Sequence, residues 1–66
     1  MTRPLSAAQI QALQAAADGI CAKRLAIMLG IGVWAATDRR KSAMRKLGQK
    51  TMPGAVAAAM RAGVVR

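Results

Sequence analysis

Among residue types that carry chemistry, this chain of 66 residues holds eleven Lys and Arg, one cysteine, one tryptophan and only two acids, Asp18 and Asp38. It has no histidine and no glutamate. An acid–base or nucleophilic mechanism needs a titratable pair within hydrogen-bond reach, and Cys21 has no histidine to activate it. A single cysteine without histidine builds neither a disulfide nor a zinc site. The residues therefore predict no enzyme, no metal and no cofactor. What remains is charge: the net value is +9, and Arg39, Arg40, Lys41, Arg45, Lys46 and Lys50 fall within twelve consecutive positions. That concentration suits a polyanion, with nucleic acid first and anionic membrane second.

The elements that must position these groups read as four short helices, over about 6–18, 22–29, 33–47 and 52–62. Ser6 followed by Gln9 is a capping box, with Leu5 and Ile10 placed for a hydrophobic staple. Ile10, Leu13 and Ala17 share the first helix's inward face, and Asp18 and Gly19 end it. Ala22, Leu25, Ala26 and Leu29 form the second stripe, which Gly30 closes. Ile31 then acts as an apolar plug, and Gly32 as a weak cap for the next helix. Ala36, Ala43 and Leu47 recur as the buried stripe of the third helix, which Gly48 stops. On a 100° wheel its opposite face carries Trp34, Asp38, Lys41, Ser42 and Arg45, with Thr37 beside them. Pro53 suits the first turn of the last helix, whose inward residues are expected to be Met52, Val56, Ala59 and Met60.

Size restricts the rest. A chain this short forms one domain, here 1–66, with an alanine-rich aliphatic core and modest stability that self-association would raise. The run from Leu25 to Thr37 is too short to cross a bilayer and contains two glycines. Arg3, Pro4 and the polar stretch after them lack the apolar segment of a signal peptide. A cytoplasmic location with no membrane partner is expected, consistent with an unpaired cysteine.

Two short helices joined by a three-residue turn that contains glycine, the second helix longer and basic, fit a helix-turn-helix. From Leu5 to Val65 the chain resembles the DNA-binding domain of LuxR-type transcription regulators. Leu5-Ser6 and Leu13 are similar to that family's first-helix signature. Gly19, Lys23, Leu25-Ala26, Leu29 and Ile31 resemble its scaffold helix and turn. Lys46-Leu47-Gly48, Ala55-Val56, Ala59 and Gly63-Val64 resemble its third-helix exit and last helix. The resemblance implies an all-α, compact four-helix bundle from a bacterial or phage source, nucleoid-associated, whose third helix enters the major groove. Departures fall near the DNA side. Gln9 stands where the family has an acid, and Cys21-Ala22 replaces Ser-Asn, leaving a poor cap. Gly32, Ala35 and Ala36 replace Ser, Thr and Val, so a phosphate-holding hydroxyl is missing at Ala35. Arg39 takes a histidine position and offers a phosphate salt link in its place.

Residue roles follow from these positions. Lys41 and Arg45 are candidate base-edge donors to guanine, and Thr37 lies beside them. Trp34 either presses on a sugar or a thymine methyl, or folds back over the turn. Asp38 either accepts from a cytosine amino group or pairs with Arg45 or Arg39, and pairing is the favoured reading. Lys23, Arg24, Arg39, Ser42, Lys46 and Lys50 are candidate phosphate contacts. Arg40 lies near the buried stripe and is expected to snorkel, and Cys21 to fill space as a small apolar residue. Gly54, Ala57 and Ala58 leave the last helix's outer face almost free of bulk beside Arg61, and the resemblance implies that this face joins two copies. Nothing in the chain provides for a small-molecule ligand. The alternatives are an adaptor that binds RNA polymerase or another regulator, and a non-specific DNA-compacting protein that uses charge alone.

Overall fold

The computed structural model describes residues 5–66, so Arg3 and Pro4 lie outside the described residues. Helix α1 (Ala7–Ala17) starts on the expected capping box. The Gln9 N–H donates to Ser6 Oγ at 3.2 Å and the Ser6 N–H to Gln9 Oε1 at 2.9 Å, so two backbone donors that the helix itself cannot satisfy are paired. Helix α2 (Ala22–Leu29) follows Cys21, which makes no side-chain cap bond. Gly30 closes α2 at φ +65°, a left-handed conformation that costs a residue with a Cβ about 1–2 kcal/mol. Helix α3 (Val33–Lys46) ends with Leu47 as its C-cap. Helix α4 (Met52–Arg61) has Pro53 in its first turn and Thr51 as its cap, with Thr51 Oγ1 accepting from the Gly54 N–H at 3.1 Å. Among the described residues there is no strand.

Every other helix packs on α3, and α1 also packs on α4. The interior forms two clusters. Ala12 and Ala15 meet Leu25, Ala26 and Ala36, with Ile20, Leu29 and Ile31 closing over them. Leu13 meets Ala43, Ala55, Ala59 and Val65, with Leu5, Leu47, Met52 and Val64 around them. Seven of the ten buried hydrophobic residues described are alanine. The helices can therefore approach closely, and each buried residue contributes little area. The chain's end completes the second cluster: Val65 is buried. Arg66 donates its N–H to Gln14 Oε1 and accepts from Gln14 Nε2, each at 3.1 Å.

The inward faces of two helices differ from the sequence reading. On α1, Leu13 is buried with Gln9, Ala12 and Ala15, while Ile10 and Ala17 are only half-buried. Helix α1 lies against both α3 and α4, which widens and turns its buried face. On α4 the buried residues are Ala55 and Ala59; Met52 and Val56 are half-buried, and Met60 is 47% exposed rather than inward.

Candidate nucleic-acid interface

The outer face of α3 is built by burying its inner one. Ala36 and Ala43 are fully buried and Leu47 packs at the edge of the second cluster, which leaves Trp34, Asp38, Lys41 and Arg45 exposed. These four recur at helical spacing and lie within about 60° of one another on the 100° wheel. Among the described residues none of their side chains makes a hydrogen bond or ion pair. Trp34 is 81% exposed, so it does not fold back over the turn. The favoured pairing of Asp38 with Arg45 or Arg39 does not form, and the carboxylate stands free in water.

Two other residues of this face are partly committed. Thr37 is half-buried, and its hydroxyl donates to the Val33 carbonyl one turn back at 2.9 Å. Ser42 is not on the exposed stripe: it is half-buried, and its Oγ accepts from Gln9 Nε2 at 2.6 Å. Gln9 is the residue that sequence reasoning missed here. Its place in the sequence predicts only a cap, yet its amide joins Ser6, α1 and α3 in one hydrogen-bonded chain.

The other basic residues expected to take part lie off this stripe. Lys23 and Arg24 are exposed on the first turn of α2, and Lys50 is exposed in the segment after α3. Arg39 and Lys46 are half-buried on α3. Arg40, also half-buried, reaches an open groove of about 500 Å³ between α1 and α4. Its other walls are apolar: Ala16 and Ala17 on one side, Met52, Pro53, Val56, Ala57 and Met60 on the other. Cys21 is exposed rather than an apolar filler. The backbone N–H of Arg24 pulls its thiol below the ordinary range; partial desolvation opposes this, and the Lys23 N–H and the Arg40 charge add to it.

The flat outer face expected on α4 is only partly present. Ala57 and Arg61 are exposed, but Gly54 and Ala58 are half-buried. A Cβ on Gly54 would lie 3.0 Å from both Gln49 Oε1 and Thr51 Oγ1, so the glycine serves the helix cap. The exposed apolar residues of α4 are Pro53, Ala57 and Met60.

Two large apolar side chains lie away from the α3 stripe. Ile27 is 74% and Met28 59% exposed at the end of α2. Among the described residues no group of three metal-ligating side chains comes together, and no helix is long and apolar enough to cross a membrane. A scan against protein-family models, a search of curated proteins and a search of solved structures each return no match.

Proposed function

We propose that this chain is a sequence-selective DNA-binding module of a transcription regulator. In this reading α2, the turn of Gly30, Ile31 and Gly32, and α3 form a helix-turn-helix of the LuxR type, with α3 in the major groove. The observation that carries the proposal is the exposed stripe of Trp34, Asp38, Lys41 and Arg45, whose side chains have no partner among the described residues. Its chemistry is apolar, then acceptor, then two long donors, and base edges in the major groove present groups complementary to each. Lys23, Arg24, Arg39, Lys46 and Lys50 supply the phosphate contacts that fix register without reading sequence. Compaction of DNA by charge alone would need no such ordered stripe.

The molecule measures 31 × 22 × 20 Å, while successive half-sites on one side of a duplex lie about 34–36 Å apart. One copy covers one half-site. A pair joined through the exposed Pro53, Ala57, Met60 and Arg61 side of α4 would read two half-sites about 10 bp apart.

The test is selection of bound duplexes from a random pool with the full chain, followed by titration of winners and random sequence at rising salt. A specific reader keeps its preference as both affinities fall, because counterion release weakens phosphate contacts for every sequence. Failure to enrich any sequence would overturn the proposal. One observation favours a second reading, the adaptor that docks on RNA polymerase or another regulator. Ile27 and Met28 form an apolar pair outside the α3 stripe, and phosphate contact gives them no role. If they serve a protein partner, Ile27→Ser with Met28→Ser leaves duplex affinity unchanged while abolishing transcriptional output.

A further inference from the structure

We infer that Trp34 is a specificity residue that reads the 5-methyl group of a thymine in the major groove. The inference rests on the DNA reading above and says which base its first turn recognises. Trp34 is the largest side chain in the protein, and 81% of it is left in water. Beside it Val33 is 45% exposed and Ala35 is also exposed. The first turn of α3 thus presents apolar surface, and its one polar handle is the indole N–H.

In helix-turn-helix docking the first residues of the second helix approach the base edges most closely. Those edges offer donors and acceptors throughout, with one apolar group, the thymine methyl. An indole there gains contact area only where that methyl is present. The sugar is the competing target, but it lies between phosphates, and a contact there is anchored by neighbouring cations. Helix α3 has none until Arg39, more than a turn beyond Trp34. The donors and acceptor that complete base readout lie further along the same stripe.

Trp34 also carries its own reporter, because it is the chain's only aromatic residue. In a duplex selected by the full chain, each thymine is replaced in turn by deoxyuridine, which removes the methyl and keeps the hydrogen-bonding edge. At one thymine per half-site the intact chain is expected to lose about fourfold in affinity, the equivalent of one buried methyl. Trp34→Ala is expected to bind both duplexes alike while keeping its helical circular dichroism, and the indole emission of the intact chain shifts on the thymine duplex. Equal deoxyuridine penalties in both proteins, or an indole spectrum unmoved at saturation, would overturn this inference and leave DNA binding intact. If no duplex is enriched from the pool, the functional proposal fails and this inference fails with it.

Discussion

Asp38 is the only acid among the six charged residues of α3. If α3 binds DNA as proposed, a free carboxylate on its outer face weakens binding to every duplex, so its presence calls for a return in selectivity. Asp38→Asn is expected to tighten binding to random duplex while discrimination at one cytosine falls by about 1 kcal/mol. Paired titrations on selected and random duplexes check this, and uniform weakening would show that Asp38 has a structural role. Cys21 gives the second prediction at this scale. Its thiol is held below the ordinary range by the α2 N-terminus, so in the folded chain more of it is thiolate at pH values below that range. Alkylation at neutral pH should be faster in native protein than in urea-unfolded chain. The linkage sign is that of a depressed acid: the added stability is full above the unfolded pKa and is lost as pH falls through the folded one. The basic residues and Trp34 were legible in the sequence as candidates. The internal bond of Ser42 was not legible, because one helix's pattern cannot register that Gln9 of α1 donates to its hydroxyl oxygen.

Helix limits were legible because they are local. The capping box at Ser6 and the left-handed glycine at Gly30 depend only on neighbours in sequence. Which way α1 and α4 roll was less legible, for a reason visible in runs such as Ala15, Ala16, Ala17 and Ala57, Ala58, Ala59. Consecutive alanines present nearly equal hydrophobicity in every direction, so packing against neighbouring helices decides which one is buried. Of these six, Ala15 and Ala59 are buried. Helix α2 starts without a side-chain cap, since Cys21 makes no cap bond. Cys21→Ser places a hydroxyl on the same extended backbone and is expected to raise stability by about 1 kcal/mol. Denaturant midpoints at constant slope measure the gain, and a midpoint at or below that of the native chain would count against the cap geometry.

At the scale of the whole molecule, an alanine core and a charge of +9 both favour a partner: little apolar area is buried per residue, and like charges repel until phosphates neutralise them. Two copies on one duplex gain from effective concentration as well as from contacts, commonly about a hundredfold or more. Ala57→Arg puts a bulky cation on the exposed side of α4 and should leave single half-site affinity unchanged while removing that gain on a two-site duplex. Sedimentation with each duplex distinguishes the two cases.

The two interior clusters are joined through α1 and α3: α1 lends Ala12 and Ala15 to one and Leu13 to the other, and α3 lends Ala36 and Ala43. Helix α2 contributes to the first alone, and α4 with Val65 to the second alone. Hydrogen exchange should register this as breathing in two halves. An opening confined to the first half loosens α2 and the start of α3 while the later turns of α3 stay seated on Leu13, Ala55 and Ala59. In the proposed DNA reading, the indole end of α3 then adapts to a bent or widened groove while the Arg45 end keeps its footing.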